Sequence, residues 1–161
     1  MTVSTTDVVT TDTAEEAPVA ELYSTLIVGW NNRDARAFAS VFADDGSLIG
    51  FDGSDPNGRA TIEREQEAIF ADHTPAQYVA KVRSIELLAP GVALLRAVVG
   101  MIPPGASDLK PERNAHQTLL ARKHGEVWRV VLFQNTPAAY DGRPQLVQAL
   151  TEELRRVAAQ R

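Results

Sequence analysis

The sequence predicts an α+β roll, in which a curved antiparallel sheet carries helices gathered along one side. Three observations lead there. Helical apolar spacing occupies the first part of the chain, at residues 15–31, 34–45 and 59–72, with only a short strand among the helices. Two strand pairs joined by short turns then fill residues 77–135, and a last amphipathic helix covers 145–158. Helices set apart from a run of antiparallel strands belong to the α+β class.

The elements follow in order. Residues 1–14 are rich in threonine, valine and aspartate without helical period, and read as a mobile N-terminal tail. From Glu15 the pattern changes: Pro18 suits a first helical turn, and Val19, Leu22, Tyr23, Leu26, Ile27 and Trp30 recur at three- and four-residue spacing. Asp34 caps a short second helix whose buried side is Phe38, Val41 and Phe42, and Asp44-Asp45-Gly46 stops it. Residues 47–51 form a short strand, and 52–58, with their glycines, proline and aspartates, form a loop. The third helix, 59–72, turns Ile62, Gln66, Ile69 and Phe70 inward. Strands 77–88 and 92–102 are joined by Ala89-Pro90-Gly91, and 103–111 is a polar, proline-rich loop. After Gly142-Arg143-Pro144 the final helix carries Leu146, Val147, Leu150, Leu154 and Val157 on one side.

The central hairpin, 114–123 and 126–135, joins through His124-Gly125. Side chains alternate along a strand, so this joint opposes Ala121 to Trp128, Leu119 to Val130 and Gln117 to Leu132. One face then carries Ala115, Gln117, Leu119, Ala121, Trp128, Val130, Leu132 and Gln134, apolar except for two amides. That is either a small-molecule pocket with placed polar groups or a core face with two satisfied amides. The mixed face, with His116, Thr118, Leu120, Arg129, Val131 and Phe133, suits contact with a second subunit.

At 161 residues and 44% hydrophobic content, the chain is one domain with enough apolar surface for a real core. A net charge of −5 without a basic stripe points away from nucleic acid and from membrane surfaces. There is no cysteine, which rules out thiol nucleophiles, disulfides and thiolate metal sites, and no long apolar run or signal pattern, so a cytoplasmic protein is expected. No histidine and carboxylate share helical i, i+4 spacing or one strand face, so no metal is expected. No glycine-rich dinucleotide fingerprint follows a strand, so no cofactor is expected.

The run Gly29-Trp30-Asn31-Asn32-Arg33-Asp34-Ala35, then Phe38, Val41-Phe42-Ala43-Asp44-Asp45-Gly46, Gly58-Arg59-Ala60-Thr61-Ile62, Val127-Trp128-Arg129-Val130 and Gln134-Asn135-Thr136, resembles the nuclear transport factor 2-like superfamily. Within it the motifs are most similar to SnoaL-like proteins, and the Gln134-Asn135-Thr136 ending to the SgcJ/EcaC branch found beside enediyne polyketide synthases. The likeness covers about residues 15–137, leaving 138–161 as a C-terminal helical extension. It implies a cone-shaped roll with a deep pocket between helices and sheet, and a homodimer through the sheet's other face. Fold does not give function here, since the superfamily hosts isomerases, cyclases, dehydratases and non-catalytic proteins. Laid on the ketosteroid isomerase pattern, the three catalytic positions hold Gly50, Leu26 and Gln117, none of which does that proton chemistry.

The expected ligand-binding residues are Trp30, Phe42, Phe51, Arg59, Gln117, Leu119, Val130, Leu132, Gln134 and Asn135. Gln117, Gln134 and Asn135 would polarise a ligand oxygen, and Arg59 would hold a carboxylate or form a structural salt bridge. Trp30 is a pocket wall or a core aromatic. Asp52, two residues from the missing base position, is the candidate base, although a loop aspartate of this kind is commonly a turn former. Two functions of different class remain: an enzyme of polyketide or related secondary metabolism acting on a largely apolar substrate, and a carrier or assembly partner with the same pocket.

Overall fold

The computed structural model describes residues 2–161, with side chains from Ala14 onward. The expected tail, residues 1–14, lies outside the fully described residues apart from Ala14. Three helices, α1 (Thr2–Asn31), α2 (Ala35–Ser40) and α3 (Arg59–Asp72), precede the long strands. The α1 stripe buries Val19, Tyr23, Leu26 and Ile27 as its spacing requires, but the helix does not start at Glu15: it already runs from Thr2, so Pro18 lies inside it and not in its first turn. Asn31 then ties the helix end to the sheet: its Oδ1 accepts from the Tyr78 N–H at 2.8 Å and its Nδ2 donates to the Tyr78 carbonyl at 3.1 Å. Asp34 caps α2, accepting from the Ala37 N–H at 3.0 Å.

Five strands, β1 (Phe42–Ile49), β2 (Gln77–Ala89), β3 (Val92–Ile102), β4 (Ala115–His124) and β5 (Val127–Pro137), form one sheet in the order β1-β5-β4-β3-β2. Neighbours pair antiparallel except for β1, which lies parallel to β5 at the edge. The helices α1 to α3 cover the inner face over a core that includes Leu26, Phe38, Phe42, Ile62, Leu95, Leu119, Val130 and Phe133. On the outer face α4 (Pro144–Ala159) seals a second, smaller core of Val79, Val98, Leu109, Leu150 and Leu154. Glu153 fastens α4 to β2, with Lys81 Nζ at 3.0 Å and Arg83 Nη1 at 2.7 Å. No described helix is long and apolar enough to cross a membrane.

The strand β1 starts at Phe42, not at Ser47, so Val41 and Phe42 do not belong to the second helix. Asp44-Asp45-Gly46 is an irregularity within the strand: Phe42 is paired with Val130, and pairing resumes only with Ser47 opposite Leu132. Gly46 permits it, because a Cβ there would sit 2.7 Å from the Val130 carbonyl oxygen.

The hairpin joins through Gly125-Glu126, with Gly125 at φ +62° and His124 opposite Val127. Near the turn this two-residue shift of partner keeps the expected faces, and Ala121 opposes Val130. A bulge then intervenes: Leu120 opposes Leu132, so Val131 has no partner of its own on β4. One extra residue reverses the faces of everything beyond it on β5. Phe133 and Asn135 therefore point inward, and Leu132 and Gln134, expected inward, lie on the outer face and are only half-buried. Phe133 is equally removed from the expected subunit-contact face, being 1% exposed in the inner core.

Candidate functional site

Between the helices and the inner face lies a partly enclosed cavity of about 490 Å³. Its apolar wall is built where four elements converge: Trp30 from the end of α1, Phe38 from α2, Leu48 from β1 and Phe133 from β5. Trp30 holds this wall together. Its indole N–H donates to the Ala76 carbonyl at 2.8 Å, and its ring meets those of Phe70 at 5.5 Å and Tyr78 at 5.2 Å between centroids. Both readings of Trp30 are thus realised, since the same ring packs the core and faces the cavity.

Behind the wall runs a directed chain of uncharged hydrogen bonds. The Tyr23 hydroxyl donates to Gln117 Oε1 at 2.6 Å, Gln117 Nε2 to Asn135 Oδ1 at 2.8 Å, and Asn135 Nδ2 to the Ile49 carbonyl at 3.0 Å. Only Asn135 of the three lines the cavity. Burial pushes the Tyr23 hydroxyl well above the ordinary tyrosine range, with the neighbouring Tyr78 adding to the rise. Tyr78 lines the cavity, and its hydroxyl is pushed up to about 12, because burial outweighs the charge of Arg113 and the Gln117 amide, which pull it down. Both phenols are neutral donors at physiological pH.

Of the expected binding residues, Trp30, Phe51 and Asn135 line the cavity, as does the candidate base Asp52. Phe42, Leu119 and Val130 are wholly buried in the inner core instead. Gln117 points inward but sits behind Asn135, and Leu132 and Gln134 are on the outer face for the reason given above. Arg59 is spent elsewhere, in an ion pair with Asp44 and a bond to the Phe42 carbonyl at 3.1 Å. It has the structural role, locking the start of α3 onto β1. Asp52 accepts from the Ser54 N–H at 3.0 Å and the Ser54 hydroxyl at 2.7 Å, closing the turn. Those bonds, with the Arg113 charge beyond them, hold its carboxyl below the usual carboxylate range, which weakens it as a base near neutral pH.

Sequence reasoning gave no site role to Phe38, Leu48, Tyr78 and Phe133 in the wall, nor to three polar or charged residues of the lining, Gln66, His73 and Arg113. Gln66 was placed inward but given no role; it is 3% exposed, and its Oε1 has no hydrogen-bond partner among the described residues. His73, just beyond α3, reaches the cavity with Nδ1 3.1 Å from Asp72 Oδ2. Arg113 lies across Phe51, with Cζ 4.2 Å from the ring centroid. Only Gln66 carried a signal, as an amide on the apolar side of a helix.

No family model and no curated protein matches the sequence. Solved structures do match it in fold. A domain of unknown function with a cystatin-like fold from Nostoc punctiforme PCC 73102 superposes with a TM-score of 0.76 at 22% identity, over 91% of this chain and 94% of that one. A ketosteroid isomerase-like protein from Erwinia carotovora atroseptica gives 0.61 at 14% identity, over 76% and 95% of the two chains. A type 2 hexachlorocyclohexane dehydrochlorinase, LinA, gives 0.66 at 15%, over 79% and 87%. The architecture is therefore the cystatin-like, nuclear transport factor 2-like cone.

Proposed function

We propose that this chain is a SnoaL-like small-molecule-binding protein of secondary metabolism, holding a largely apolar ligand in its cone cavity. One observation carries the reading: an aromatic-walled cavity of about 490 Å³ with Tyr78 and Asn135 as neutral polar groups in its lining. Ligand sites commonly occupy about 300–1,000 Å³ and combine an apolar lining with few polar groups. The setting in polyketide or enediyne biosynthesis, and the SgcJ/EcaC branch, rest on the motif resemblance over residues 15–137. The fold is shared with proteins named for isomerase and dehydrochlorinase chemistry on small organic molecules.

Whether the ligand is also transformed, as by a cyclase, isomerase or dehydratase, turns on a proton-transfer group. Asp52 is a poor one for the reason above. His73 favours catalysis, because it is the histidine that lines the cavity and its Nδ1 is held by Asp72, leaving Nε2 for a substrate. Without a role for His73, the same cavity serves a carrier or assembly partner. The chain acts as a homodimer, supported by Leu94, Leu120, Val131 and Leu132, which α4 leaves half-exposed on the outer face.

Native mass spectrometry of the purified protein, with Trp30 fluorescence in a Trp128→Phe background, tests the binding reading. A retained organic adduct, or saturable quenching by an apolar probe, is expected. Neither signal from a folded protein refutes it.

A further inference from the structure

Arg113 ends the short 3-10 turn Pro111–Arg113 just before β4, so the backbone delivers its side chain to the cavity rim beside Ala115. It is the one arginine or lysine lining the cavity among the described residues. Several basic side chains outside the cavity are committed to partners: Arg59 to Asp44, Lys81 and Arg83 to Glu153, and Arg155 to Asp108. The Arg113 guanidinium makes no hydrogen bond or ion pair with any described residue, while its backbone N–H donates to the Lys110 carbonyl at 2.9 Å. The nearby Asp52 is turned instead to Ser54. Its Cζ lies over the Phe51 ring at 4.2 Å, which holds the cation at the rim, and the planar guanidinium keeps its five N–H donors for a ligand.

We infer that the cavity takes a monocarboxylate, with an apolar body among Trp30, Phe38 and Phe133 and a carboxylate accepting hydrogen bonds from the Arg113 guanidinium. A flat, forked donor fits a carboxylate with two parallel N–H···O bonds. A single charge is indicated, because Arg113 stands alone, Asp52 lies close enough for its charge to be felt, and the chain carries a net −5. Tyr78 supports the anion's end of the site: its hydroxyl stays protonated and within the electrostatic reach of Arg113, so it is a donor that needs no counter-charge. The inference rests on the binding reading above and adds the ligand's charge to it.

Matched probes separate the two. 2-Naphthoate and its neutral isostere 2-naphthamide are titrated calorimetrically into the full chain and into Arg113→Gln. The wild type is expected to bind naphthoate about tenfold or more tightly than naphthamide, a preference that shrinks with added salt. Arg113→Gln brings naphthoate to the naphthamide affinity and leaves naphthamide unchanged, while Arg113→Lys, keeping charge without the planar fork, retains part of the preference. Equal binding of both probes by the wild type overturns the carboxylate inference and leaves the cavity reading standing. A preference that survives Arg113→Gln, or equal weakening of both probes by it, also overturns the inference. Binding of neither probe overturns both readings.

Discussion

Replacing Gln117 by leucine tests the buried hydrogen-bond chain. The side chain is 1% exposed, accepting from the Tyr23 hydroxyl and donating to Asn135. Leucine is close in size, so the perturbation is chemical: the Tyr23 O–H, on a side chain only 3% exposed, loses its acceptor, and Asn135 Oδ1 loses a donor. A buried polar group left unsatisfied costs about 1–3 kcal/mol. Tyr23 bears that in full, whereas Asn135 borders the cavity and recovers part of its loss from water. The expected destabilisation is about 2–4 kcal/mol, a fall of about 5–15 °C in Tm for a chain of this length. Removing the orphaned hydroxyl as well should help, so the Tyr23→Phe, Gln117→Leu double variant should be more stable than the two single losses predict by about 1 kcal/mol or more. Urea denaturation followed by far-UV circular dichroism gives all four corners of the cycle. A Gln117→Leu protein as stable as the wild type, or losses that simply add, would refute the network as a stabilising unit.

Four further outcomes follow from other features. Gln66→Leu should stabilise the fold by about 1–3 kcal/mol, since it removes a buried acceptor that has no partner among the described residues, and denaturation midpoints check this. Gly46→Ala should destabilise by about 1–3 kcal/mol or more, because its Cβ meets the Val130 carbonyl oxygen at 2.7 Å and that backbone cannot yield cheaply; the same assay reads it. Burial raises the Glu153 pKa, but its bonds and charges with Lys81 and Arg83 win and lower it overall. Its contribution is therefore present above the ordinary value of 4.5 and lost as pH falls through the lower folded value, and Glu153→Gln should flatten the stability profile in that acid window. Sedimentation at micromolar concentration should show twice 17.5 kDa, and Leu120→Glu on the outer face should shift it toward 17.5 kDa.

The helices were legible because their signals are local. Asp34 caps α2, the stripe from Val19 to Trp30 follows helical period, and α3 starts and ends as its flanking breakers require. The site was legible only in part, because it depends on pairing between distant strands. Alternation alone put Leu132 and Gln134 in the pocket. The residue that reverses this, Val131, is an ordinary β-former with no local mark of a bulge. What sits beside it is on the neighbouring strand, where β1 runs parallel to β5 and Gly46 comes against Val130. Arg113 was hidden for a similar reason: only the three-dimensional meeting of the turn with Phe51 gives it a place at the rim.

If the space between Trp30, Phe38 and Phe133 receives the ligand, a crystal structure of the protein with 2-naphthamide will show it there. A neutral probe keeps the test independent of Arg113. The naphthalene ring is expected within that wall, in contact with Trp30, with its amide directed to Tyr78 or Asn135. An unfilled cavity in crystals whose density shows the probe bound elsewhere on the protein would contradict it.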